Sequence, residues 1–207
     1  MSAPASSRGC AGTSRELDPG WEPKARSLDR PATWKQVRAR LEGVGGTVAR
    51  LARDLVERCA QLTAEIRELE QEIAALVAEL APSLLAIIGC GPLTAAKLIG
   101  QTAGIDRFRS RDAFARHNGT APLPVWSSNR ERHRLSRTGN RQLNAAIHRI
   151  ALTQAQWHPD ARAFMARRRE HGDSGREALR ALKRRLSDVV YRALRADLTE
   201  DHLVLAA

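Results

Sequence analysis

The stretch Leu84-Leu85-Ala86-Ile87-Ile88-Gly89-Cys90-Gly91-Pro92-Leu93-Thr94-Ala95 decides how this chain is to be read. An apolar helix end runs into Gly-x-Gly, and a new helix starts at once with Pro92 just inside it. Glycines permit a tight turn and the close approach of a backbone. Proline at the first helical position has its φ preset and wastes no donor. Such a turn aims unpaired N–H groups and the positive end of a helix outward, an arrangement that suits phosphate. The pattern is that of a helix-hairpin-helix, and Gly89, Gly91 and Thr94 are its candidate contacts with a sugar–phosphate strand. An ordinary αα-hairpin explains the same residues, and both readings stay open.

Upstream of the bend, Val48, Leu51, Leu55, Cys59, Leu62, Ile66, Leu69, Ile73, Leu76 and Leu80 follow one another at steps of three and four. That spacing is close to a heptad seam, with one extra residue near Cys59. Glu57, Glu65, Arg67, Glu68, Glu70 and Glu72 occupy the other faces. A helix over 47–81 would be roughly 50 Å long. Two partners fit its narrow apolar stripe: a second chain in a coiled coil, or an antiparallel hairpin within the monomer. Residues 1–33 are rich in Ser, Pro, Gly and Arg, and the segment 1–46 reads as disordered or as a remnant, with a short helix possible at 34–42.

Downstream, helices are expected at 92–103, 111–117 (capped by Ser110), 140–157, 160–171 and 174–196, with a tail at 199–207. No segment gives a convincing strand. The fold class expected is all-α: a long coiled-coil helix at 47–81, then a helical domain at 82–198 with an irregular arginine-rich loop at 118–139. Pro122 and Pro124 enforce an extended entry to that loop through Trp126. Trp126 either stacks on a base or anchors the loop.

Charge points to a polyanionic partner. The 207 residues carry a formal net charge of +11. Residues 1–104 hold 13 Lys and Arg against 12 Asp and Glu, whereas residues 105–207 hold 21 against 11. The excess is almost all arginine, whose planar fork suits bidentate phosphate contacts. A high-GC coding sequence and a merely solvated basic face are the competing explanations. Ten arginines fall between Arg107 and Arg149, and alternation at Arg130, Arg132 and Arg134 would set them on one side of an extended segment. Arg137, Asn140 and Arg141 continue the basic run. Ser127, Ser128 and Ser136 are the hydroxyls inside it. Each serves as a phosphate hydrogen bonder or, if activated, as a nucleophile, and His133 is the titratable base nearest in sequence.

Other chemistries find little support. Cys10, Cys59 and Cys90 show neither metal nor disulfide spacing. No apolar run reaches the length of a membrane span, and no signal-peptide core leads the chain. No paired carboxylates suit two-metal nuclease chemistry.

Taken in order, the pieces resemble one family. The long Arg/Glu/Leu helix leads into residues 84–96, then Phe108-Arg109-Ser110, Asn118-Gly119-Thr120-Ala121-Pro122, Ser127-Ser128 and Ser136-Arg137-Thr138-Gly139-Asn140-Arg141-Gln142-Leu143. This resembles the C-terminal half of insertion-sequence transposases of the IS110/IS116/IS902 type, over about 47–157 and more loosely to 198. The resemblance implies DNA transposition by phosphodiester strand exchange, oligomers joined by the coiled coil, a guide RNA, and a nucleoid-associated place in the bacterial cytoplasm. It implies Ser128 as nucleophile, with Ser127 as the alternative, and Asn129 standing where the family has glycine. Asn is among the residues that can take the left-handed conformation glycine offers. The family's carboxylates, with their Mg2+, belong to an N-terminal domain that nothing in 1–46 resembles. The chain therefore reads as a truncated copy that holds no cofactor itself. The alternative is a non-catalytic nucleic-acid-binding or regulatory fragment that dimerises through its coiled coil.

Overall fold

The computed structural model describes residues 20–21, 23–24, 26–127, 130–134 and 138–205, with backbone alone for 124–127, 130–134 and 199–205. Its architecture is helical, and the chain divides into two compact units, up to Gln71 and from Glu72. In the first unit, α1 (Pro31–Leu41) opens on a proline and packs against the start of α2 (Thr47–Leu80). Val37 and Leu41 meet Ala52 and Val56 in a small core with Leu28. Arg53 donates to the carbonyl of Leu41 at 2.9 Å and so satisfies one of the open acceptors at the end of α1. A helix thus stands within the segment 1–46, three residues longer at its start than the 34–42 expected.

Helix α2 is amphipathic in an unexpected register. Ala49, Ala52, Val56 and Cys59 are buried on the first unit's side, and Val77 belongs to the core of the second. The regular seam is largely left out: Leu51, Ile66, Leu69, Leu76 and Leu80 are all 40% or more exposed.

The second unit contains α3 (Pro82–Leu85), α4 (Pro92–Thr102), α5 (Arg111–His117), α6 (Arg141–Trp157), α7 (Pro159–Glu170) and α8 (Gly175–Leu205). Its core is built from Leu84, Leu98, Phe114, Leu143, Ile147, Ile150, Leu186 and Val190. Phe108 and Phe114 meet edge to face at 5.3 Å, and the Tyr191 hydroxyl donates to the carbonyl of Phe108. Ser110 caps α5 by accepting from Ala113 N, as its position suggests. Helix α8 runs past 196 into the stretch expected as a tail. Its four-residue repeat of Leu182, Leu186, Val190, Leu194 and Leu198 meets no Gly or Pro to stop it.

One segment departs from its reading. Inside 118–139, β1 (Leu123–Ser127) pairs antiparallel with β2 (Arg130–Arg134), in the register Leu123 with Arg134, Val125 with Arg132, and Ser127 with Arg130. The irregular loop is corrected to a two-stranded ribbon. Arginine alternation and a proline at 124 hid it, because strand character here comes from cross-strand pairing and not from intrinsic propensity.

Candidate nucleic-acid interface

The glycine bend is fastened from behind. Gln154 on α6 donates from Nε2 to the carbonyl of Ile88 at 2.9 Å. Gly89 sits at φ +87°, and a Cβ there would lie 2.9 Å from Thr153 Cβ and 3.3 Å from the carbonyl oxygen of Ile150. Gly89 is therefore glycine because α6 presses on it. Gly91 differs: its φ is −76°, and a Cβ there would meet nothing within 4 Å. It is the N-cap of α4, no side chain caps it, and it is exposed along with Pro92 and Leu93. Thr94 is half-buried in the first turn and donates its N–H to Gly91 O. The two glycines, one pair on paper, divide into an inward packing residue and an outward cap. Between the two glycines, Cys90 is buried, and burial pushes its thiol pKa up to about 11.

A second construction holds the foot of the ribbon. The segments that enter and leave it, 117–122 and 138–144, are fused side by side. Asn140 N donates to His117 O at 2.6 Å. A Cβ on Gly139 would fall 2.4 Å from Gly119 N, so the two backbones touch where Gly119 turns at φ +72°. Below them lies a buried polar chain. Asn118, fully buried, accepts on Oδ1 from both N and Oγ1 of Thr120 and donates from Nδ2 to Ser187 Oγ at 2.8 Å. Asn144 Nδ2 donates to the carbonyl of Asn118, and Lys183 Nζ donates to Asn144 Oδ1 at 2.5 Å. Buried polar groups persist where they are hydrogen-bonded, and this chain closes on itself across α5, α6 and α8.

Lys183 is the charged member. Burial, and then the nearby cations Arg141 and Arg180, lower its pKa from 10.5 to about 8. His148, one turn along α6 from Asn144, is held below its usual value by burial and by Lys183. His117 is lowered likewise, by burial and then by Arg107, whose guanidinium lies 3.4 Å from its Nε2.

The expected contact residues fare differently. Arg130, Arg132 and Arg134 take alternate positions of β2, cross-strand from Ser127, Val125 and Leu123. Ser128 and Arg137 lie outside the described residues. Asn140 is committed to structure: its Oδ1 accepts from the N–H groups of Gln142 and Leu143 as N-cap of α6, and its Nδ2 reaches Gln101. Arg141 is exposed in the first turn of α6. Sequence reading missed Asn118, Asn144, Lys183 and Ser187. The signals were two polar residues at helical spacing on apolar faces: Asn144 between Leu143 and Ile147, and Lys183 beside Leu182.

Residues 81–166 match the model of the transposase IS116/IS110/IS902 family. That segment is similar to this transposase family and covers less than half of the chain. The match runs from just past the end of the long helix into α7, so it takes in the glycine bend, the ribbon and its fused foot, while Lys183 and Ser187 lie beyond it. A candidate mini-circle transposase for IS117 from Streptomyces coelicolor is 33% identical over 114 residues, which is 54% of this chain and 27% of that protein. The chain thus spans about a quarter of that relative's length. No helix among the described residues is long and apolar enough to cross a membrane.

Proposed function

We propose that this chain is the DNA-binding C-terminal part of an insertion-sequence transposase and takes part in strand exchange through a serine nucleophile. The observation that carries the reading is the fused foot of the ribbon. Asn118, Gly119, Gly139 and Asn144 fix where the ribbon leaves the helical core, and they tie β1 to the arginine strand β2. A nucleophile needs this kind of rigid seat, because positioning supplies much of the rate of a displacement at phosphorus. Ser128 Oγ would attack the phosphodiester, and the P–O bond to the leaving sugar oxygen would break, leaving a phosphoserine. His133 is the candidate for taking the hydroxyl proton, and the leaving oxygen is reprotonated from solvent. Arg130, Arg132 and Arg134 would balance the charge that grows on the non-bridging oxygens. Among the described residues no cluster of three His, Cys, Asp or Glu is placed to hold a metal ion.

Covalent trapping tests this. Nicked duplex DNA mixed with the chain and an intact family member should yield a protein–DNA adduct that Ser128→Ala abolishes. An adduct that survives Ser128→Ala and disappears with Ser127→Ala moves the role to Ser127. Survival in both removes serine catalysis by this loop.

A non-catalytic, dimerising fragment is the second reading, and the exposed seam of α2 favours it. Leu69 and Leu76 are each 56% exposed on a helix otherwise covered with charge. Exposed seams of this kind mark association surfaces. Such a fragment would pair with full-length copies in the cytoplasm and occupy DNA, or a guide RNA, without cutting it.

A further inference from the structure

We propose that the groove between α5 and α8 is a second phosphodiester-binding subsite, built from Arg111, Arg185 and Arg192 and separate from the ribbon. The inference rests on the nucleic-acid reading above and adds a site that the family match leaves mostly outside its range, since α8 lies beyond residue 166. The groove encloses about 380 Å3 and is lined by these three arginines with Asp188 and Val189. A water takes about 30 Å3 of liquid, so the space suits a larger, polar guest.

The charge balance of the groove is what selects an anion. Its one carboxylate, Asp188, is bound to Arg184, which also holds Asp112. Arg184 is thereby shared between two carboxylates, so the group of Arg184, Asp112 and Asp188 is one charge negative against the three positive charges of Arg111, Arg185 and Arg192. Among the described residues no carboxylate pairs with Arg111, Arg185 or Arg192. Three arginines thus line a concave surface whose only acid is already committed.

Two of the three are also held in place. The Arg185 guanidinium lies 4.4 Å from the centre of the Phe164 ring, and Arg192 Nε donates to the carbonyl of Asp188. A fixed planar fork loses little freedom on binding a phosphate, which is why arginine and not lysine dominates such sites. Val189 gives an apolar wall against which a sugar packs. The same strand could therefore run from the ribbon to this groove, because α5 leads directly from Arg111 to the ribbon's foot at Asn118 and is only about 10 Å long at 1.5 Å per residue.

The test uses the full chain and three labelled probes: a 20-base-pair DNA duplex, a 20-nucleotide single-stranded RNA, and a poly-glutamate peptide. Affinity is measured across a salt series for wild type, for Arg185→Gln/Arg192→Gln, and for Arg130→Gln/Arg132→Gln/Arg134→Gln. The groove variant should bind the preferred nucleic acid on the order of tenfold more weakly, and its log–log salt slope should fall by about 1.8 on duplex or about 1.4 on single strand. Its loss should add to that of the ribbon variant. Whichever nucleic acid shows the change names the strand. Arg111→Gln, from the opposite wall and away from the Phe164 ring contact, should lower the slope by about half as much, and this covers any loosening of that contact. If wild type binds nucleic acid and both groove variants match it in affinity and slope, the inference fails while the proposed function stands. If wild type binds neither duplex nor RNA, both fail. If the groove variants lose only poly-glutamate, the groove serves an acidic protein segment and the inference is overturned.

Discussion

Helices α2 and α8 are close in length, 34 and 31 residues, and both repeat apolar residues at steps of three and four. They end in opposite conditions. In α8, Ala178, Leu182, Leu186, Val190 and Leu194 are all buried, covered by α5, α6 and α7. In α2, the residues of the most regular seam are exposed, and small residues beside it, Ala49 and Ala52, do the packing. An apolar stripe shows that a surface needs covering. It does not show whether the same chain supplies the cover.

The largest expected effect tests that contrast directly. Leu186→Ala should cost about 2–5 kcal/mol in urea unfolding, the range for emptying a packed leucine site. Leu69→Ala should cost less than about 0.5 kcal/mol at high dilution, as for an exposed residue. If Leu69→Ala proves as costly as Leu186→Ala at every concentration, the seam is covered by its own chain and the comparison breaks. If instead its cost appears only as concentration rises, alongside weaker association in sedimentation equilibrium, a second chain is the cover.

Next in size are the glycines, which sharpen the contrast between inward and outward positions. Gly139→Ala must push apart two backbones, and Gly89→Ala must push Thr153 while holding a positive φ. Each should cost about 1–3 kcal/mol or more. Gly91→Val, at an ordinary φ with open space around it, should fold normally and weaken DNA binding if the bend meets backbone. Unchanged affinity in the folded Gly91→Val protein would leave the bend as packing only.

Lys183 gives a test by pH. Its pKa in the folded chain is about 8, against 10.5 unperturbed, so between those values the unfolded chain binds more protons and stability rises with pH. Cys90 works the other way, because its thiol, raised from 9.0 to about 11, keeps a proton that the unfolded chain gives up. The difference between the stability curves of wild type and Lys183→Met isolates the lysine, and it should climb in favour of wild type from pH 8 to about 10. A flat difference would mean that Lys183 is not buried at the ribbon's foot. The smallest effect belongs to Asn140→Ala, about 1 kcal/mol for a lost N-cap. Loss of DNA affinity beyond what that instability explains would restore Asn140 as a contact.

Much of the helical frame was legible. Ser110 stands where a cap stands, Pro92 opens α4, and the periodicity of α6 matches its buried face. The ribbon was not legible, because its strands are stabilised only by each other and their composition looks like a solvated loop. Nor was the polar chain from Lys183 to Thr120. Its members are up to 69 residues apart along the hydrogen bond from Asn118 to Ser187, and no local pattern announces a contact of that range.

What the sequence determined by itself was local: where helices begin and end, where the chain can bend, and that arginine is concentrated after residue 105. These follow from dihedral preference, capping and periodicity, which act within a few residues. Tertiary structure alone decided which stripe of α2 is covered, which glycine faces inward, and which arginines pair with no carboxylate among the described residues. Those outcomes depend on groups brought together from separate elements, where packing and charge pairing act between residues that the chain order keeps apart.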